Sequence, residues 1–556
     1  MSAVHQINSP SSPGTGSADD ARADDARVDV VGRIRVNPRR GRHVSPLRVQ
    51  KRRPPSTPST AEGGIAITDA KNWCAQQVLG LSARHHRISG WDPEDVAAWR
   101  AGGAKIARRN LIWSIFAEHV CFSVWSIWSV MVLFMPENVY HIDAAGKFFL
   151  GAMPTLVGGL LRIPYTTAPA RFGGRNWTIV SALSLLIPLA LTWYFMAHPS
   201  TSYTTFLIVA AFAGLGGGNF ASSIANINAF YPQRLKGRAL GLNAGGGNLG
   251  VPAIQLVGLL VIATAGAGSP HLVCATYLVL VGLAALGAAL FMDNLDNQTS
   301  NAAAMRAVLR FADAWVIALL YIGTFGSFVG YSFAFGQLLE LNYQATPGTT
   351  AAAAALAAAQ IAFVGPLLGS LSRPVGGWLA DRIGGARITL WCFVAMAAAA
   401  GILVAAATVG GTHNGKLSGA MMACYIGGFI LLFILSGIGN GSVFKMIPVV
   451  FATKSLALKN VSPEEAAGWA RAMSGGLMGI AGALGALGGV GINVVLRSSY
   501  SGSSQSGTMA FWVFVVFYLF CVAITWMVFV RRRHTFGNAP APAAPASAGA
   551  ARAPGR

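Results

Sequence analysis

Residues 511 to 530 read FWVFVVFYLFCVAITWMVFV, a run without a single charged side chain. About twenty mostly apolar residues are what an α-helix needs to cross the hydrocarbon core of a bilayer. In lipid, the backbone amides must be satisfied within the segment, so the run predicts a transmembrane helix. Arg531, Arg532 and Arg533 follow it directly, and basic residues at the end of a span mark the cytoplasmic side.

Similar runs recur along the chain, for example Ile115 to Met135, Ile179 to Met196 and Ala275 to Met292. Counting them gives about twelve spans. Of the 556 residues, 53% are hydrophobic and only 11% are charged, against about 25% in soluble proteins. The apolar runs begin only after Arg109, so they are not a cleaved signal peptide. The sequence therefore predicts an all-α membrane protein that crosses the bilayer about twelve times.

The net charge of +21 is sorted by position. The loops that alternate along one side of the predicted membrane carry Arg171, Arg175, Arg234, Lys236, Arg238, Arg306, Arg310, Arg382, Arg387, Lys454, Lys459 and Arg471. The opposite loops carry little beyond Lys147, Lys416 and Arg497. Positively charged loops remain in the cytoplasm, so we expect both termini there. The charge pattern is explained by lipid and requires no nucleic acid.

An internal repeat divides the apolar part of the chain in two. Arg162 precedes Gly173-Gly174 by eleven residues, and Arg373 precedes Gly384-Gly385 by the same number. The offset of 211 residues also pairs Arg171 with Arg382, Gly158 with Gly369 and Thr178 with Thr389. Matching positions in matching halves predict two pseudo-symmetric six-helix bundles. Transporters built in this way bind substrate near the membrane midplane, between the repeats.

The predicted domains follow from this repeat. They are a basic, mostly disordered cytoplasmic leader (1–105), an N-terminal six-helix bundle (106–293), a cytoplasmic linker (294–312), a C-terminal six-helix bundle (313–534) and a disordered Ala/Pro-rich tail (535–556). Between Arg33 and Arg53 the leader holds nine basic residues and no acid. Such a segment is typical of a solvated tail, or of contact with anionic lipid or nucleic acid. We expect ordered structure from Trp91 onward. The sequence leaves open whether translation starts upstream or near Trp91.

Arg162 and Arg373 each lie inside an otherwise apolar span, 148–170 and 355–380. A charge at the centre of a bilayer costs at least about 2.5–3.5 kcal/mol, and such charges usually mark a functional site. The alternatives are that each side chain extends to the basic loops, or that it pairs with a distant acid such as Glu118 or Glu340. Two facing guanidinium groups without matching carboxylates predict an anion site. The planar fork of guanidinium suits a planar oxyanion.

Aromatic residues in spans 4 and 7 and glycine-rich stretches are further candidates for the site. Phe220 follows a glycine-rich stretch, and Tyr321 and Phe325 are one helical turn apart on one face. Such rings could cover the two faces of a flat ion, although ordinary packing is the alternative. The glycine-rich stretches lack the strand–turn–helix unit that dinucleotide binding requires. We expect them to let two smooth helices face each other across the halves and slide. These helix-packing residues are Gly237, Gly241, Gly245, Gly247, Gly479, Gly482, Gly485 and Gly489.

Two motifs carry a resemblance to a known family. Residues 376–385, GGWLADRIGG, resemble the loop motif of the major facilitator superfamily. The first-half copy, APARFGGR at 168–175, has Ala170 where the motif has Asp, which implies a weaker gating contact. GNFASS at 218–223 and GRALGLNAGGGN at 237–248 resemble the nitrate signature of NarK-type nitrate/nitrite porters, and residues 479–490 resemble its second-half partner. The resemblance runs from about Trp91 to Arg533.

The resemblance implies transport of nitrate and nitrite by alternating access through a bacterial-type cytoplasmic membrane. The coupling is either nitrate/nitrite antiport or nitrate–proton symport. It implies that the anion is held by Arg162, Arg373, Phe220, Tyr321, Phe325 and Asn248. It implies that Arg171, Gly173, Asp381, Arg382 and Gly384 form the gating loops. We expect a monomer without cofactors. The alternative within this fold is a porter for another small oxyanion or an organic acid.

Symport needs a group that carries protons, and Glu118 and His119 in the first span are the only obvious candidates. The alternative for these two residues is an interfacial pair that is hydrogen-bonded near the cytoplasmic end.

A membrane enzyme or a tethering protein is the alternative to a transporter. The sequence has neither a cluster of histidines at metal-ligand spacing nor a Ser-His-Asp arrangement. We therefore predict no catalytic residues and no metal site.

Overall fold

The computed structural model describes residues 86–299, 302–412, 417–502 and 506–531. The basic stretch between Arg33 and Arg53 and the predicted tail lie outside these residues. Twelve helices of the described part are long and apolar enough to cross a membrane. This confirms the predicted all-α membrane fold and the number of spans.

The spans are numbered in chain order. Spans 1 to 6 are Val96–Phe134, Ala144–Phe172, Gly174–Met196, Tyr203–Phe230, Gln233–Ala265 and His271–Phe291. Spans 7 to 12 are Ala312–Gln344, Ala351–Ile383, Gly385–Val409, Gly419–Ser455, Pro463–Tyr500 and Thr508–Val530. Short helices cover Glu137–Tyr140 and Ala302–Val308 between spans. Single π-helical turns interrupt span 1 at Trp99–Gly103, span 7 at Ile322–Gly326 and span 12 at Trp526–Val530.

Span 1 begins before the predicted boundary at residue 106. Asp95 caps its first turn by accepting hydrogen bonds from the backbone N–H groups of Ala97 and Ala98. Ahead of this cap, strand β1 (Arg87–Ile88) pairs in parallel with strand β2 (Asn294–Leu295) in the predicted linker. The end of the predicted leader is therefore ordered against the segment that joins the two halves.

The halves meet through two equivalent contacts. Span 11 packs against span 2, and span 5 packs against span 8. The prediction that spans 5 and 11 face each other is wrong, and the internal repeat explains why. The repeat that relates span 2 to span 8 also relates span 5 to span 11, so the two observed contacts are copies of one interface. Each glycine-rich span thus faces an arginine-bearing span of the other half.

The loops after spans 2 and 8 are also equivalent. Gly173 has a φ of 86° and Gly384 a φ of 98°. Only glycine adopts this left-handed region readily, which explains why glycine stands at both positions of the repeat. The turns let span 3 and span 9 begin at once.

Candidate anion-binding site

Arg162 is completely buried near the middle of the protein. Its Nε donates a hydrogen bond of 3.1 Å to the carbonyl oxygen of Gly217 in span 4. Its Nη1 donates one of 2.8 Å to the carbonyl oxygen of Gly482 in span 11. Nη2 has no hydrogen-bond partner among the described residues. Backbone carbonyls from both halves therefore position this guanidinium and leave one terminal nitrogen free.

Arg373 is buried as well and is held differently. Its Nη2 donates a hydrogen bond of 3.1 Å to the hydroxyl oxygen of Tyr321 in span 7. Its Nη1 has no hydrogen-bond partner in the part of the chain that the structure describes. Each arginine therefore retains one unpartnered terminal nitrogen, and an unsatisfied buried donor of this kind favours an anionic ligand.

The two arginines share the same two aromatic rings. The guanidinium carbon of Arg162 lies 4.7 Å from the ring centre of Phe220 and 5.0 Å from that of Phe325. The guanidinium carbon of Arg373 lies 5.9 Å from each of the same ring centres. Phe220 belongs to the first half and Phe325 to the second. The two rings are 6.3 Å apart with an interplanar angle of 27°. The cluster therefore lies between the two halves.

The second-half ring is presented by an irregular turn. Phe325 lies in the π-helical turn Ile322–Gly326, which directly follows Tyr321. The rings of Tyr321 and Phe325 stack at 5.2 Å with an angle of 14°. Single π-helical turns inside α-helices occur frequently at functional sites. Here the turn brings Phe325 against the phenol that also contacts Arg373.

Neither arginine forms an ion pair with any acid among residues 86–531 as described. Neither extends to the basic loops, because both guanidinium groups lie against the buried rings of Phe220 and Phe325. The structure thus excludes both alternative roles considered for these side chains. Two adjacent buried cations without a paired carboxylate create a positive potential that an anion would neutralise.

A small cavity of about 40 Å³ adjoins Arg162 and Phe220. Its other lining residues include Thr166, Asn228 and Leu240. All of them lie on the side of Arg162 that faces the arginine-rich loops. On the opposite side the halves are joined by hydrogen bonds, from Gln255 to the carbonyl of Ser332 (2.8 Å) and from Gln337 to that of Ala144 (2.7 Å). The site is therefore closed on one side and adjoins a cavity on the other.

Asn248 is not joined to this cluster by hydrogen bonds. It is buried in span 5, and its Oδ1 has no partner among the described residues. No hydrogen bond connects it to Arg162 or Arg373 in that same part of the chain. The five other residues predicted to hold the anion are linked by ring contacts or hydrogen bonds, and no such link to Asn248 occurs among the described residues.

The glycines of span 11 pack closely. A methyl group in place of hydrogen at Gly485 would lie 2.6 Å from the Tyr321 ring, and one at Gly489 would lie 2.7 Å from Val329. A methyl group at Gly479 would lie 3.3 Å from Thr166, which is tight, whereas one at Gly482 would lie an ordinary 3.8 Å from Arg162.

Span 5 differs from span 11. A methyl group at Gly237, Gly241 or Gly245 would meet nothing within 4 Å, whereas Gly247 packs against the Glu118 side chain. The close packing predicted at the first three positions is absent here, because Gly237 and Gly241 are exposed and Gly245 is only partly buried.

The two loops predicted to gate the transporter carry different charged contacts. Asp381 forms an exposed ion pair with Lys445 of span 10, at 2.7 Å. Arg382 stacks over Trp378, and Arg171 lies over Phe172. In the first half, Ala170 occupies the place of Asp381. The offset of 221 residues that pairs Asn219 with Asn440 puts Ile224 in the place of Lys445. Both partners of the ion pair are thus missing from the first half.

Glu118 is fully buried in span 1, and His119 is partly buried. The Glu118 Oε2 accepts hydrogen bonds from the Ser223 hydroxyl and the Asn243 side-chain amide. The Nδ1 of His119 lies 3.1 Å from the carbonyl oxygen of Gly246. The two side chains therefore have separate surroundings, and only Glu118 belongs to a buried polar network.

Three further aromatic residues line the arginines and were not identified from the sequence. Arg162 lies 5.7 Å from the ring of Phe122 and 5.3 Å from that of Trp125, and Arg373 lies 5.3 Å from that of Phe444. A signal for the first two was present, because Phe122 and Trp125 follow Glu118 by four and seven residues and share its helix face. Phe444 has no comparable signal in the sequence.

Comparisons with known proteins agree with this architecture. Residues 111–490 match the profile of the Major Facilitator Superfamily. The chain is 34% identical to the nitrate/nitrite transporter NarU of Salmonella typhimurium over 80% of its own length and 96% of that protein. It is 31% identical to the "Probable nitrate/nitrite antiporter NarK2" of Thermus thermophilus over 81% of its length and 98% of that protein. A D-xylose–proton symporter has the same fold, with a TM-score of 0.56 at 12% identity over 75% of this chain and 97% of that one. The chain therefore belongs to the Major Facilitator Superfamily and, within it, to the NarK-type nitrate/nitrite porters.

Proposed function

We propose that this chain carries nitrate and nitrite across the cytoplasmic membrane of a bacterial cell by alternating access. The anion binds between Arg162 and Arg373. One observation carries the proposal: two buried arginines from equivalent spans flank the same two rings, and each has a terminal nitrogen without a hydrogen-bond partner among the described residues. The relatives named as nitrate/nitrite transporters support the choice of substrate.

The chemistry of the site fits a flat anion of single charge. The free Nη2 of Arg162 and the free Nη1 of Arg373 would donate in the plane of the ion. Phe220 and Phe325 would cover its two faces. A flat ion between two rings needs about 7 Å, which is two contacts of about 3.5 Å each. The ring centres are 6.3 Å apart, so binding requires only a small movement of the rings.

The hydrogen bonds on one side of the site and the small cavity on the other support an occluded state that would open toward the basic loops. The hydrogen bonds of Gln255 and Gln337 join the halves on the side away from the basic loops. The cavity next to Arg162 lies toward those loops. Because basic loops remain in the cytoplasm, both ends of the chain are proposed to be cytoplasmic. A single chain contains both arginines, so we propose that it works as a monomer surrounded by lipid.

Exchange is the mode that this site performs without any further group. A membrane potential of about 100 mV, negative inside, opposes the uptake of one anion by about 2.3 kcal/mol. When one nitrite leaves for each nitrate that enters, no net charge crosses the membrane and this cost disappears. The arginines cannot release protons at physiological pH, so proton symport would require another residue.

The test is nitrate uptake into proteoliposomes that contain the purified full-length chain. Liposomes loaded with nitrite should take up external nitrate, and an imposed membrane potential should not change the exchange rate. Competition with formate, acetate and sulfate would show whether the site prefers nitrate and nitrite. Uptake that is inhibited equally by acetate or sulfate would contradict the proposal and favour a porter for another oxyanion or an organic acid.

A further inference from the structure

Glu118 is a buried acid of span 1 on which the charges of the anion site act. Its side chain is completely inaccessible to solvent, and it forms no ion pair among the described residues. Oε2 accepts hydrogen bonds from Ser223 and Asn243, whereas Oε1 has no hydrogen-bond partner in the described part of the chain. A buried carboxylate with one empty oxygen is costly when ionised, and that oxygen is free to take a proton.

The charged groups that act on Glu118 are those of the anion site. Arg162 of span 2 and Arg373 of span 8 both interact with its carboxyl group electrostatically. The neutral side chains of Ser223 and Asn243 face it from spans 4 and 5. On span 1 itself the titratable neighbours are Cys121 and His119. Cys121 interacts electrostatically with Glu118 and with Tyr165 of span 2, and the His119 ring is directed to the carbonyl of Gly246.

The repeat gives Glu118 a counterpart in the second half. An offset of 203 residues pairs Trp125 with Phe328, and these rings pack against the equivalent glycines Gly158 and Gly369. The same offset pairs Phe122 with Phe325 and Glu118 with Tyr321. The second half thus faces its arginine with a phenol, whereas the first half has a carboxyl group. Only one half of the site therefore carries a group that readily exchanges a proton.

We propose that the Glu118 carboxyl group is a proton-binding site coupled to anion occupancy between Arg162 and Arg373. This inference rests on the proposed function. An ionised Glu118 already neutralises part of the positive charge that the anion needs, and it repels the anion. A protonated Glu118 does neither. Nitrate binding therefore raises the affinity of Glu118 for a proton. Protonation of Glu118 raises the affinity for nitrate by the same factor. Typical couplings of this kind change affinity roughly 5- to 150-fold.

In the proposed cycle one proton is transported together with one nitrate. A proton from the more acidic side binds Oε1 of Glu118, and nitrate binds the two arginines. Both are released after the halves have rocked, so no net charge crosses the membrane. Uptake by this route is driven by a pH gradient but not by membrane potential. Potential-driven uptake would require at least two protons for each nitrate.

Nitrate binding to the purified full-length protein, measured calorimetrically from mildly acidic to mildly alkaline pH, tests the inference. For the wild type we expect the affinity for nitrate to fall at least fivefold as pH rises. Glu118→Gln imitates the protonated acid, so its affinity should stay at the low-pH level at every pH. His119→Gln is the matched control, because it removes the adjacent titrating group and should retain the pH dependence.

Ser223→Ala provides a second variant should Glu118→Gln fail to fold. It removes one donor to the ionised carboxylate and should move the midpoint of the affinity change to higher pH. Wild-type affinity that does not depend on pH, or equal pH dependence in wild type and Glu118→Gln, would overturn the inference. Wild-type protein that binds no nitrate at any pH would instead contradict the proposed function.

Discussion

Arg162 of span 2 donates a hydrogen bond of 2.8 Å to the backbone carbonyl of Gly482 in span 11. An arginine of the first half is thus positioned by the main chain of the second half. Such a contact requires span 11 to approach span 2 closely, and small residues at helix interfaces in membranes permit this approach. The site and the interface between the halves are therefore one structure, so changes on span 11 should alter anion binding.

Gly485→Ala should weaken nitrate binding about tenfold. The added methyl group would lie 2.6 Å from the ring of Tyr321 and 3.2 Å from that of Phe325, and overpacking of this kind typically costs about 1–3 kcal/mol. Gly482→Ala is the matched control on the same helix. Its methyl group would lie 3.8 Å from Arg162, which is an ordinary contact, so affinity should remain near that of the wild type. Equal effects of the two substitutions would contradict this account.

Arg162→Lys and Arg373→Lys should each abolish or nearly abolish nitrate/nitrite exchange while the protein still inserts. Lysine keeps the charge but loses the planar fork, so it cannot both hold its protein partner and reach the anion. Loss of a hydrogen bond to a charged group costs about 1.5–3 kcal/mol, which corresponds to more than about tenfold in affinity. Exchange in proteoliposomes is the measurement. Arg310→Lys, at an exposed arginine between Ala302–Val308 and span 7, is the control and should transport normally.

Much of the fold could be predicted because lipid limits the choices. A span must be about twenty apolar residues long, and each charge inside one needs an explanation. The offset of 211 residues between Arg162 and Arg373 then placed both in equivalent spans. Phe220, Tyr321 and Phe325 were predicted from the family resemblance. The structure brings all five residues together, as the sequence led us to expect.

The other features of the site and fold depend on distances between helices. The spacing of apolar residues along the sequence does not encode these distances. Phe444 lines Arg373 from span 10 without any sequence signal. Asn248 belongs to the signature stretch but makes no hydrogen bond to the arginines among the described residues. The early start of span 1 was missed because the turns after Asp95 are polar and contain Gly102 and Gly103. Contacts with the linker and the packing of Trp91 and Trp99 against the end of span 4 stabilise that first segment.

Asp293→Asn should lower the stability of the protein without changing nitrate affinity. The Asp293 carboxylate is buried beside β2, and it accepts hydrogen bonds from Arg109 (2.7 Å) and Asn110 (2.8 Å). Loss of a charged hydrogen bond costs about 1.5–3 kcal/mol, and we expect a lower Tm in detergent. Asp296→Asn is the control, since that side chain is exposed and should change Tm little. A reduced nitrate affinity with unchanged Tm would show that this segment acts on the site instead.

Phe220→Leu and Phe325→Leu should weaken the preference for planar anions more than they weaken folding. Leucine keeps the site apolar and roughly filled, at a usual cost below about 1.5 kcal/mol, but it has no flat face to cover the ion. Contacts with an aromatic face contribute about 0.5–1.5 kcal/mol beyond the effect of burying apolar area. The affinity for nitrate should therefore fall up to about tenfold. Competition between nitrate and perchlorate, which is tetrahedral and has the same charge, measures the preference. Phe212→Leu, an exposed phenylalanine on the same helix as Phe220, is the control and should not change it. If both site variants keep the wild-type ratio of nitrate to perchlorate affinity, the two rings only pack the core and do not select the shape of the anion.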